Sequence, residues 1–78
     1  MKILGIETSC DDTAMAVLEA TNKSVKVLSN VISSQVKIHA KYGGVVPSLA
    51  AREHTKNIGH VFELALKEAG IKDFKKNI

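Results

Sequence analysis

The stretch KILGIETSCDDTAMAVLE, residues 2–19, decides the fold. Its first part crowds Ile3, Leu4 and Ile6 around one glycine, the short apolar run of a β-strand. Near-continuous apolarity predicts a strand covered on both faces. A polar turn, Thr8 to Asp12, follows. Thr13 to Glu19 is too short for a free-standing helix and reads as a second strand. Working outward, Thr21-Asn22-Lys23-Ser24 supplies turn chemistry, and Val25, Val27 and Val31 with Leu28 and Ile32 make a third, β-branched strand. Strands are thus expected at about 2–8, 13–19 and 25–33, as an antiparallel meander.

Beyond the meander the period changes. Ser33 to Gly44 reads as a loop with a helical turn around Val36 to Ala40, and Gly43-Gly44 marks a backbone position of unusual φ or close approach. Pro47 suits the first residue of a helix. Ile58, Val61, Phe62, Ala65, Leu66 and Ala69 keep the spacing of one helical face, Glu63 can pair with Lys67 on the other side, and Gly70 is a ready C-terminal cap. One long helix is expected over about 47–69, and a turn toward a further element over 71–78. Three antiparallel strands and one long helix form half of a sheet-plus-helix layer, so the chain reads as an α/β piece of a larger lobe.

Composition narrows the function classes. The chain has 78 residues, 45 % hydrophobic and 24 % charged, an ordinary globular mix in a domain whose core is marginal by size. Its aromatics are Phe62, Phe74 and Tyr42, too few for a base-stacking nucleic-acid module. One cysteine, Cys10, excludes an internal disulfide framework and a multi-cysteine zinc site. No apolar run approaches the roughly 20 residues that span a bilayer, and Glu7 comes too early for a signal-peptide core. A cytoplasmic setting is expected. The formal charge is +3, but residues 1–22 hold one basic group against four acids, and the rest ten against four. A basic C-terminal part suits an anionic partner, although a solvated lysine-rich surface explains it as well.

Glu7 to Thr13 places seven polar or ionisable side chains in succession between two strands. Hydroxyls and backbone N–H groups in such a turn can cradle phosphate oxygens, and its acids can hold a cation or a cation-bound water. The plainer reading is a solvated hairpin tip. Cys10 makes a poor nucleophile, because the flanking Asp11 and Asp12 disfavour a thiolate. His54 and His60 stand six apart, about 240° around a helix, so they cannot share a metal. His39 lies in the loop; surface or interface roles are expected for all three histidines. The segment YGGVVP, residues 42–47, sets two glycines before a helix N-terminus, a weak anion-site signal without the ending of a Walker loop.

Taken together, ILGIETSCDDTAMAV, SSQVKIHAKYGGVVPSLAAREH and the helix ending ALKEAG resemble the start of one family over essentially all 78 residues. It is the tRNA threonylcarbamoyladenosine transferase family (TsaD type), long labelled O-sialoglycoprotein endopeptidase or glycoprotease. The resemblance implies an actin-like or hexokinase-like ATPase fold of two lobes with nucleotide in the cleft. It implies that Thr8, Ser9 and Cys10, with Asp11 and Asp12, form the phosphate-facing loop, the two acids being catalytically relevant. It implies a divalent metal, iron or zinc, held by a downstream HxxxH pair that these residues do not include, and an adenylate or ATP ligand. The implied partners are tRNA and, in bacteria, a smaller paralogue and an ATPase subunit. Many relatives carry Glu after VVP and often Ser three residues on, where this chain has Ser48 and Ala51.

Three functional readings follow. The chain is expected to be the N-terminal piece of a transferase moving a threonylcarbamoyl group from its adenylate to the adenosine beside the tRNA anticodon, inactive by itself. The alternative is a non-catalytic, dimerising or partner-binding fragment that presents helix 47–69 through Leu49, Ile58, Val61 and Leu64. In that reading Ile58, Val61, Phe62, Ala65 and Ala69 pack on the sheet and Leu64 lies on the far side. A peptidase, as in the old family label, is the distant third; nothing in the chain resembles a protease motif.

Overall fold

In the computed structural model, which describes residues 1–77 and side chains as far as residue 75, the chain runs β1 (Lys2–Glu7), β2 (Asp12–Ala20), β3 (Val25–Ser34), α1 (Val36–Ala40), α2 (Pro47–Glu68) and α3 (Phe74–Asn77). The expected meander and long helix are present, so the architecture is α/β. Of the stretch expected as a turn, residues 74–77 form α3 and residue 78 lies outside the described residues.

Both pairings are antiparallel, in the order β1-β2-β3. Residues paired across an antiparallel ladder share a face, so the alternation along β2 sorts the whole sheet. Thr13, Met15 and Val17 are buried, and their partners Ser33, Val31 and Ser29 on β3 and Ile6 and Leu4 on β1 lie on the same side. Helix α2 covers that side, packing on β2 and β3. A register shift at Val17/Leu18 leaves Leu28 unpaired, and this bulge lets Leu28 and its neighbour Ser29 both face the helix. The Ser29 hydroxyl donates to the Ala65 carbonyl at 2.7 Å. A larger residue than Ala65 would hold helix and strand too far apart for that bond.

The core is Met15, Val17, Val61, Ala65 and Ile71, joined by Leu4, Leu28, Val31, Phe62, Leu66 and Ala69. Pro47 stands at the helix start as expected. At the other end Gly70 takes φ +75°, its N–H bonds the Lys67 carbonyl at 3.1 Å, and that of Ile71 bonds the Leu66 carbonyl at 2.9 Å. This paired closure turns Ile71 back into the core. Phe74 then meets Phe62 edge to face at 5.3 Å.

Three expectations need correction. β1 is not covered on both faces: Ile3 faces away from the helix, and Ile6, on the helix side but beyond its reach, is 57 % exposed. Ile58 is not part of the buried core; it is 39 % exposed. Val61 is not part of a presented helix face, because at 1 % exposure it belongs to the core. One helix packs chiefly on two of the three strands, and the molecule is elongated, 45 × 24 × 16 Å. Its radius of gyration is 14.4 Å, against about 11.5 Å for a compact chain of this length. Among the described residues, no layer covers the sheet's far side, which carries Ile3, Leu18, Val25, Val27 and Ile32.

Candidate functional site

The turn between β1 and β2 is held from three directions. Glu7 anchors its start: the Ser9 side chain, and then the Ser9 amide at 2.6 Å, hydrogen-bond its carboxyl and hold it below the usual carboxylate range. The Asp12 amide donates to the Ser9 carbonyl at 3.3 Å, and the Gln35 amide, at the end of β3, donates to the Asp11 carbonyl at 2.6 Å. From the helix, His54 Nε2 meets the Cys10 carbonyl at 3.1 Å and Nδ1 meets the Thr13 hydroxyl at 2.7 Å. A carbonyl only accepts, so Nε2 carries the proton, and in the neutral ring Nδ1 accepts from Thr13. Cys10 sits at φ +49°, the one described non-glycine residue in the left-handed region, a conformation that disfavours an L-residue by about 1–2 kcal/mol.

A second histidine builds the opposite wall. His39 is 2 % exposed. Its Nδ1 accepts the Val46 N–H at 3.0 Å, which leaves Nε2 to donate to Gln35 Oε1 at 2.6 Å. Gln35, itself 1 % exposed, passes the connection on through Nε2 to the Ala50 carbonyl at 3.4 Å. Gly43, at φ +77°, supplies the turn expected of it, and this network ties the GGVVP segment to the first turn of α2. The loop and surface roles expected for His39 and His54 are therefore corrected. Both histidines join segments distant in sequence, and His60 alone of the three stays exposed and without such a bond.

Between the turn and the start of α2 lies a cleft of about 340 Å³ lined by Thr8, Cys10, Val45, Pro47, Ala50, Ala51 and His54. It joins the two motifs that the sequence singled out separately. Thr8 and Cys10 are at its lip; Ser9, Asp11 and Asp12 are not in its lining. Asp12 opens β2 and alternates with Thr13, which puts it on the face away from the helix. Its Oδ1 is buried and has no hydrogen-bond partner. Another hollow of about 370 Å³, lined by Glu63, Leu66, Lys67, Gly70, Ile71 and Lys72, offers neither hydroxyl, thiol nor imidazole. Among the described residues no three His, Cys, Asp or Glu side chains gather as a metal site, so the donors present do not fit the implied metal. No helix of the described residues is long and apolar enough to cross a membrane.

A cleft between a strand–turn–strand and a helix N-terminus, with Thr8 and Cys10 in its lining, is a concave candidate site on an α/β chain. The family model described as tRNA N6-adenosine threonylcarbamoyltransferase, TsaD, matches residues 26–75, and the chain belongs to that family. Relatives named tRNA N6-adenosine threonylcarbamoyltransferase include one from Persephonella marina, 62 % identical over 71 residues, which are 91 % of this chain and 20 % of the relative. One from Thermodesulfovibrio yellowstonii is 58 % identical over 69 residues, 88 % of this chain and 20 % of the relative. One from Thermosipho melanesiensis is 56 % identical over 71 residues, 91 % and 21 % respectively. The chain thus spans about a fifth of the length of the curated relatives it matches.

Proposed function

We propose that the chain supplies the phosphate-facing turn and one wall of the ligand cleft in a transferase that moves a threonylcarbamoyl group from threonylcarbamoyl-adenylate to the adenosine beside the anticodon of tRNA. The observation that carries this reading is the cleft of about 340 Å³ joining Thr8 and Cys10 to the first turn of α2, in a chain of the transferase family. Thr8, in the cleft lining, and the amides of the turn around Ser9 and Cys10 would receive phosphate oxygens of an adenylate or ATP. Asp11 and Asp12 belong to the same turn but not to the cleft lining, so the catalytic part proposed for them would be played toward groups that approach the turn from outside this cleft. The metal, iron or zinc, belongs to residues outside this chain. So do the contacts to tRNA, to a smaller paralogue and to an ATPase subunit, in the cytoplasm.

This cleft encloses a ligand from one side only, well short of the roughly 70–90 % burial of ordinary ligand sites. The purified chain, given the adenylate and tRNA, should therefore form no threonylcarbamoyladenosine, and product by mass spectrometry would overturn the reading of an incomplete site. Amide NMR tests the ligand class. MgATP should shift Thr8 to Asp12 where adenosine does not, and equal shifts with both would remove the phosphate.

The acids separate stability from function. A buried oxygen without a partner destabilises a fold by about 1–3 kcal/mol, less where the group is only part-buried. Asp12→Ala should leave the melting temperature unchanged or raise it by a few degrees, at about 4–8 °C per kcal/mol. In the full-length transferase, Asp11→Ala and Asp12→Ala should each lower turnover more than stability. Early melting of Asp12→Ala with normal turnover would make the turn purely structural.

A partner-binding reading draws support from a different surface than the helix. Leu49 and Leu64 are half-buried and only Ile58 of the expected set is exposed, whereas Val25, Val27 and Ile32 stand open together on the sheet. An exposed apolar face on a small chain associates. Sedimentation at tens of micromolar should give a dimer that Val27→Lys with Ile32→Lys disperses. An unchanged dimer in that variant, lost instead in Leu64→Glu, would return the interface to the helix.

A further inference from the structure

We propose that His54 is a positioning residue: from α2 it clasps the Thr8–Asp12 turn shut and holds Cys10 in the left-handed conformation that orients the turn amides. The proposal deepens the phosphate-facing reading, and only its ligand arm rests on that reading. Three observations converge. His54 spends both ring nitrogens on the turn region, at 3.1 Å on the Cys10 carbonyl and 2.7 Å on the Thr13 hydroxyl, 44 and 41 residues away. The residue whose carbonyl it holds is the one whose backbone is strained, at φ +49°. And the ring lines the same cleft as Thr8 and Cys10.

The physical chain is short. Thr13 is fully buried on the central strand, so its hydroxyl is a fixed post that sets the ring plane through Nδ1. With the plane set, Nε2–H points at one place, and the Cys10 carbonyl occupies it. If Cys10 relaxed to negative φ, the adjoining peptide planes would rotate, moving the Cys10 carbonyl off the imidazole and re-aiming the neighbouring N–H groups. A turn closed only part of the time binds its ligand more weakly by the fraction closed. His54 acts on the ligand through Cys10 and not by chemistry of its own.

The test is nitrogen relaxation of the chain, its His54→Leu and His54→Gln variants, and Thr13→Val. In the native chain the Ser9, Cys10 and Asp11 amides should be as ordered as Val17, with order parameters about 0.85, and the His54 ring should show the Nε2–H tautomer. His54→Leu should drop those three amides below about 0.6 while Val17 and Ala65 hold. It should weaken MgATP about tenfold if the closed fraction falls to about a tenth. His54→Gln, whose amide nitrogen reaches the place of Nε2, should restore most of both. Turn amides still rigid in His54→Leu, or a glutamine that rescues neither order nor affinity, would overturn the clasp. If His54→Leu does not fold, Thr13→Val decides: a loosened turn and altered His54 ring shifts support the clasp, and unchanged ones overturn it. If MgATP fails to bind the native chain while the relaxation results hold, the phosphate reading falls and the clasp stands.

Discussion

Replacing His39 with alanine should destabilise the chain by about 2–5 kcal/mol, because two groups packed around a 2 %-exposed ring lose their partner together. The Val46 N–H would have no acceptor in place of Nδ1, and Gln35 Oε1 no donor in place of Nε2–H. A fully buried orphan costs about 1–3 kcal/mol, and the part-buried Val46 N–H costs less. A chain of this size holds only about 4–12 kcal/mol in total, so the substitution should remove a large share of its stability. The discriminating measurement is a double-mutant cycle in urea. Gln35→Leu with His39→Leu removes donor and acceptor together, so the double variant should lose less than the two single losses added. Strict additivity would mean that the two side chains do not act as one network. GGVVP should also lose its place against α2 in His39→Ala, visible as faster amide exchange at Val45 and Val46.

Val61→Ala should lower stability by about 2–3 kcal/mol and leave self-association unchanged. Val61 is 1 % exposed, in the core with Met15, Val17 and Ala65. Truncation there removes two methyl groups and leaves a cavity that a helix tied by Ser29 to the Ala65 carbonyl cannot close by sliding inward. The melting temperature should fall by about 10–20 °C, at 4–8 °C per kcal/mol. A partner-contact residue would behave oppositely, with thermal stability of the monomer kept and affinity lost. Ile58→Ala, at 39 % exposure on the same helix, is the control and should change stability by well under half as much.

Sequence alone determined whatever local spacing encodes. Pro47 and Gly70 bounded the long helix because a fixed φ suits a helix start and a φ of +75° suits its end. The three strands followed from β-branched runs between polar turns, and their ends fell within a residue or so of β1, β2 and β3. The run from Glu7 to Thr13 stood out as a candidate site, beside the plainer reading of a solvated hairpin tip, because hairpins seldom spend so many polar residues. The family was legible too, carried by GIETSCDDT and SQ…H…YGGVVP in order. Tertiary structure alone decided what those residues meet. A histidine at a helical position reads alike whether it faces water or a carbonyl 44 residues back, so His54 and His39 were expected only in surface or interface roles. Helical periodicity gives a face but not its centre. That is why Val61 and Ile58 looked equivalent until the helix settled over β2 and β3 and buried only the first. Continuous apolarity likewise cannot tell a strand covered on both sides from one whose second face stays open, since the covering layer lies elsewhere in the chain or outside it.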